Sequence, residues 1–173
     1  GYEVQKIMTA VDWMKRAYPD LKVGVAGYNE GGLLAFYAGA VDTRIDAVMV
    51  SGYFDNRQKT WDEPLYRNVW GLLTEFGDAE IASLIAPRPL VVEYSAVPLW
   101  VDSLRTSHPD SIEGFSFNGY KGRLQTPVWA GVEKEYDRIK TLVKDGFQQR
   151  SLVSNSGDPL DFGSGKALSQ FVS

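Results

Sequence analysis

The chain has 173 residues and a formal net charge of −4, with a pI near 5.0, a balance that offers no general attraction to nucleic acid or to an anionic membrane surface. It is 44% hydrophobic, enough to bury one core of ordinary size, and it holds no cysteine, which excludes disulfides, thiolate metal sites and a cysteine nucleophile. No apolar run approaches the roughly 20 residues of a membrane-spanning helix.

Residues 3–18 carry Val4, Ile7, Met8, Val11 and Met14 at helical spacing and predict an amphipathic helix, stopped by Tyr18-Pro19-Asp20. The pattern is already under way at Gly1, which is not a Met, so further chain is expected before it. No signal peptide is legible. Lys22 to Ala26 reads as a strand, Gly27-Tyr28-Asn29-Glu30-Gly31-Gly32 as a sharp turn, and Leu33 to Ala40 as a small-residue helix packed on a sheet. Ile45 to Ser51 is the next strand. A polar and aromatic stretch follows to Pro64, then a helical segment from Leu65 to about Thr74, and a short helix over 79–85 that Asp78 can cap. Arg88 to Glu93 is a third strand, its prolines at or before its start. Residues 94–127 show little periodicity and predict a long loop, the kind that is functional or disordered when it occurs inside one domain. Val128 to Lys144 predicts a charged amphipathic helix, Ser151 to Ser154 a weak last strand, and Lys166 to Val172 a closing helix. This alternation predicts a single α/β domain over 1–173, with a parallel sheet and helices on both faces.

The most informative segment is the strand that runs into Gly27-Tyr28-Asn29-Glu30-Gly31-Gly32 and then a helix. A nucleophile elbow, G-x-S-x-G, has this context: its glycines admit a tight turn, and its middle residue projects at the top of the sheet. The same glycines, Gly27, Gly31 and Gly32, would equally serve close strand–helix packing in another doubly wound fold. The run from Phe76 to Glu93, with Ile85-Ala86-Pro87-Arg88-Pro89-Leu90-Val91-Val92, resembles the approach to the seventh strand in acetyl xylan esterase-like and dienelactone hydrolase-like members of the α/β-hydrolase superfamily. Val50-Ser51-Gly52-Tyr53-Phe54 resembles their sixth strand. The resemblance covers about residues 20–93. It implies that the chain supplies strands five to eight of that fold, and that a preceding half or a partner chain covers the open edge of the elbow strand. It also implies a secreted or periplasmic setting, and a carbohydrate ester as the substrate class.

The triad that such hydrolases use departs from pattern at each position. Asn29 stands where the nucleophilic serine belongs, and a carboxamide is a very poor nucleophile. Asn is also one amide away from Asp, which some relatives place at the elbow. In place of an Asp in the turn after the third strand, Glu93 at the strand's end is the substitute acid; it would otherwise pair with an Arg or cap a backbone amide. Asn155-Ser156-Gly157-Asp158-Pro159 follows the last strand without a histidine, so the single histidine, His108, is the remaining base candidate, or a surface residue. Glu30 follows the elbow residue and could cap the next helix or hold a cation with Asp55 or Asp78. No metal-ligand spacing is present and no cofactor is expected. Tyr53, Phe54, Trp61, Tyr66, Trp70, Trp100, Phe115, Phe117 and Tyr120 lie largely on connections at the carboxyl ends of strands, where open α/β sheets bind ligands, and suit sugar stacking or simple coverage of the sheet top; Tyr28, Tyr53, Trp61 and Trp100 are the aromatic binding candidates.

Three functions compete. The first is a non-catalytic α/β-hydrolase-like module that binds carbohydrate or a protein partner. The second is an esterase acting on acetylated carbohydrate or a similar small ester through a non-standard elbow. The third is a phosphate- or nucleotide-binding module using the Gly27–Gly32 turn, ranked last because no Lys-Ser or Lys-Thr follows the glycines.

Overall fold

The computed structural model describes residues 1–101 and 122–173. In chain order its elements are α1 (Tyr2–Ala17), β1 (Gly24–Tyr28), α2 (Glu30–Val41), β2 (Ala47–Ser51), α3 (Leu72–Glu75), α4 (Asp78–Ser83), β3 (Leu90–Glu93), β4 (Trp100–Val101), β5 (Arg123–Leu124), α5 (Trp129–Leu142), β6 (Arg150–Val153) and α6 (Gly165–Phe171). Strands β1, β2, β3 and β6 form one sheet in that order, each pair parallel. Parallel strands joined by helical crossovers are buried on both faces, and Val48-Met49-Val50 and Leu90-Val91-Val92 are apolar throughout for that reason.

Alternation along the strands divides these side chains between two cores. Val48, Val50, Leu90 and Val92 meet Val11 of α1, Phe36 of α2, Ile81 of α4, and Val132 and Ile139 of α5. Met49, Val91 and Val153 point the other way and meet Ala167 of α6, with Leu160 and Phe171 beside it. Helices α1, α2, α4 and α5 therefore cover one face, and α6 the other. Burying a side chain such as Phe36, which is fully enclosed, contributes about 1.5–3 kcal/mol. The α/β architecture expected from the alternation of patterns is present.

Several local expectations differ from the structure. The segment 65–74 is not one helix: a 3-10 turn at Leu65–Arg67 is separated from α3 by Gly71, whose φ of 75° breaks the helical path. Met14 belongs to the apolar stripe of α1 by spacing but is exposed, because the core contacts of this helix end at Val11. Asp78 does not cap α4. It lies inside the helix with its carboxylate buried, and Gly77 holds the cap position. The ends of the expected loop over 94–127 are ordered by pairing: Ser95 bridges to Leu160, and β4 pairs antiparallel with β5. Among the described residues, β1 pairs with β2 alone and its other edge is open. No helix among them is long and apolar enough to cross a membrane.

Candidate functional site

The register sets Tyr28 beside Ser51, Ser51 beside Glu93, and Glu93 beside Val153. All four strands thus end in one row, and the connections that leave this row carry the candidate residues. At the end of β1 the backbone turns within one residue. Asn29 has φ 51° and ψ −112°, its amide donates to Ser51 O at 2.9 Å, and its carbonyl accepts from Leu33 N at 3.0 Å. A non-glycine residue in that conformation is strained by about 1–3 kcal/mol and persists only where its surroundings hold it.

The glycines around the turn are unequal. A Cβ on Gly27 would lie 2.0 Å from Gly31 O, and one on Gly32 would lie 2.8 Å from Ser51 O. These two permit the strand and helix to touch. Gly31 faces open space, so the turn does not need a glycine there.

The side chain of Asn29 makes no cap to α2. Its Oδ1 accepts a 2.8 Å hydrogen bond from Nη2 of Arg67. The same guanidinium donates through Nε to Glu30 Oε1 at 2.8 Å, and Tyr66 OH donates to that oxygen at 3.0 Å. Glu30 is therefore tied to Arg67. It is not gathered with Asp78 around a cation, because Asp78 is bound by a second arginine. Nε of Arg57 lies 3.0 Å from both Asp78 oxygens, its Nη1 donates to Glu63 at 2.9 Å, and its Nη2 donates to Tyr53 O at 2.8 Å. Burial works against the charge on Arg57, but the negative groups around it, Asp78 foremost, outweigh that and hold its pKa well above the ordinary value. Tyr53 is core rather than platform: it is 4% exposed, packs near Phe36, and carries the guanidinium of Arg57 over its ring at 3.8 Å.

Glu93 lies on the α6 side of the sheet and is fully engaged there. Its Oε2 accepts from Ser51 Oγ at 2.6 Å and from Gly163 N at 3.0 Å. Its Oε1 accepts from Ser164 N at 2.9 Å and from Ser164 Oγ at 2.6 Å. Burial alone would raise its pKa, but the hydroxyls of Ser164 and Ser51 and the two backbone amides prevail and hold it below the ordinary value of 4.5. A carboxylate so satisfied docks the start of α6, and no oxygen of it is left to orient a base.

The remaining candidates are spread along the strand-end surface. Tyr28 donates its hydroxyl to Ala96 O at 2.6 Å and stacks on Phe162 at 5.3 Å between ring centroids. Trp61 is 73% exposed and Trp100 is 44% exposed. Asn155 and Asp158 exchange backbone hydrogen bonds of 3.1 and 2.9 Å across Ser156 and Gly157, both at positive φ. This tight turn of the primed type follows β6 and carries no histidine. His108, Phe115, Phe117 and Tyr120 lie outside the described residues. Among the described residues no group of three or more His, Cys, Asp or Glu side chains is placed to hold a metal ion.

Arg57 and Arg67 organise the surroundings of the β1–α2 turn, and sequence reasoning missed both. Their acidic partners are distant in the chain, apart from Glu63, so spacing carries little of the signal. Only their position in an aromatic stretch after a strand end could have drawn notice. Comparison of the chain with models of protein families, with curated proteins and with solved structures gives no match. The chain is an α/β protein by its own architecture.

Proposed function

We propose that this chain is an α/β-hydrolase-like module that has kept the elbow but not Ser-His-Asp chemistry, and that it binds a small ligand at the carboxyl ends of its strands. In this reading its sheet corresponds to strands five to eight of the hydrolase fold, and the open edge of β1 receives a further strand or a partner chain. The observation that carries the proposal is the state of Asn29. It holds the strained elbow conformation, yet its side chain is a carboxamide whose oxygen is occupied by Arg67. A carboxamide gives up no proton to a base, and Glu93 faces away into the seat of α6.

Hydrolysis of an activated acetate ester by the full chain tests this, with wild type beside Asn29→Ala and Asn29→Ser. Wild type and Asn29→Ala should both match the buffer rate. Wild-type turnover that Asn29→Ala abolishes would sink the proposal in favour of a second reading, an esterase of acetylated carbohydrate or a similar small ester working through a non-standard elbow. The strain retained at Asn29 favours that second reading, since a turn with no task could relax it by substitution to glycine.

A further inference from the structure

Beside the elbow, the segment from Thr60 to Phe76 forms a wall over α2 and α4. Between them is a cavity of about 500 Å³, lined by Tyr37, Trp61, Trp70, Leu73 and Phe76, with Arg57 and Arg67 on its inner side. The apolar lining is not sealed. Trp70 is fully exposed, Trp61 73%, Leu73 49% and Phe76 41%. Large apolar groups gathered at a concavity of this size are the ordinary composition of a small-molecule site.

The polar wall decides the class of ligand. Every nitrogen of the two guanidinium groups is already committed within the protein. Arg57 spends Nε and Nη2 on Asp78, Nη1 on Glu63, and Nη2 also on Tyr53 O. Arg67 spends Nε on Glu30, Nη1 on Glu63 and Nη2 on Asn29. An anion would have to displace carboxylates from both arginines, and a cation would have to displace arginines from the carboxylates. A saccharide needs directional partners for its hydroxyls, and these donors are spoken for. Thr60, Asn68 and Thr74 add a few neutral polar groups to the lining, too few to satisfy the full set of hydroxyls of a saccharide, and the rest of what the cavity offers is largely aromatic surface.

We propose that this cavity binds an uncharged aromatic small molecule, with Trp61 and Trp70 packing on its ring faces. This rests on the ligand-binding reading above and names the ligand class for that part of the strand-end surface. Ester hydrolysis reports on the elbow and fluorescence on the cavity, so the two readings fail separately.

The test is a titration of the full chain with N-phenyl-1-naphthylamine, a neutral probe that brightens in apolar surroundings. It is run beside an anionic naphthalene sulfonate analogue and with xylobiose as competitor. Saturable one-site binding is expected, about tenfold weaker for the sulfonate, unaffected by xylobiose, and at least about tenfold weaker in Trp61→Ala/Trp70→Ala. Both tryptophans are exposed, so the double variant should keep its circular dichroism spectrum and melting temperature. Absence of saturable binding, binding unchanged in the double variant, or displacement by xylobiose would each overturn the proposal.

Discussion

Nη2 of Arg67 donates a 2.8 Å hydrogen bond to Oδ1 of Asn29, which ties the tip of the β1–α2 turn to a segment 38 residues further along the chain. The contact fixes the carboxamide's orientation and joins the β1–α2 turn to the wall of the aromatic cavity through a single side chain.

Arg67→Met should loosen both at once. The guanidinium is nearly buried, whereas its partner Glu30 is 40% exposed at the side chain and can be rehydrated, so the loss is moderate. About 1–3 kcal/mol is expected, read as a lowered midpoint in urea with an unchanged slope. A midpoint equal to wild type would show that the contact holds nothing.

The Arg57–Asp78 pair is more deeply enclosed, with side chains 7% and 2% exposed. Removing one partner strands a charge that water cannot reach. Arg57→Met should therefore cost about 3–5 kcal/mol, while Arg57→Met/Asp78→Asn should recover part of that loss, because the second change removes the orphaned charge. Simple addition of the two single losses in this cycle would contradict the coupling.

Glu93 gives the protein an acid-sensitive contact. Its pKa in the folded state lies below the ordinary 4.5, so below that value the unfolded chain takes up the proton first. The stability that Glu93 contributes is whole above about pH 4.5 and is lost as pH falls through the lower folded value. Glu93→Gln should be about 2 kcal/mol less stable at neutral pH, since an amide NH₂ would face a backbone N–H donor. The difference from wild type should shrink on acidification, which parallel urea titrations across pH would register. A constant difference would assign the effect to packing.

The glycines of the β1–α2 turn should answer oppositely to alanine. At Gly27 a methyl group meets the Gly31 carbonyl at 2.0 Å, and backbone cannot swing aside as a side-chain tip can. Gly27→Ala should prevent folding to a soluble product. Gly31→Ala adds a methyl into open space within α2 and should be neutral or stabilising by up to about 1 kcal/mol. Melting temperatures of the two variants decide the point.

The architecture was legible because its signals are local. Val48-Met49-Val50 and Leu90-Val91-Val92 are too short and too uniformly apolar for a surface element, and the helical stripes of α1 and α5 lie between recognisable stops. The turn at Asn29 was legible from its glycines, although only Gly27 and Gly32 are sterically required. Contacts that close over distance were not legible. Arg67 finds Asn29 and Glu30, Arg57 finds Asp78, and Glu93 finds Ser164, each across a gap that no periodicity spans. For Tyr53, composition marks an aromatic residue at a strand end. Only packing against Phe36 and Arg57 makes it core rather than a ligand platform.

Among the described residues the two faces of the sheet differ in depth, and the shallow one hangs on Glu93. On that side Met49, Val91 and Val153 are covered chiefly by α6, a helix of seven residues whose start is held by one carboxylate. Such a helix can lift away while the opposite core stays closed. Its amides should then exchange with solvent through a local opening of low cost, and those of β2 and β3 only when the whole domain comes apart. The sheet is thus a slab with one permanent wall and one door, and the hinge pin of the door is an ionised side chain.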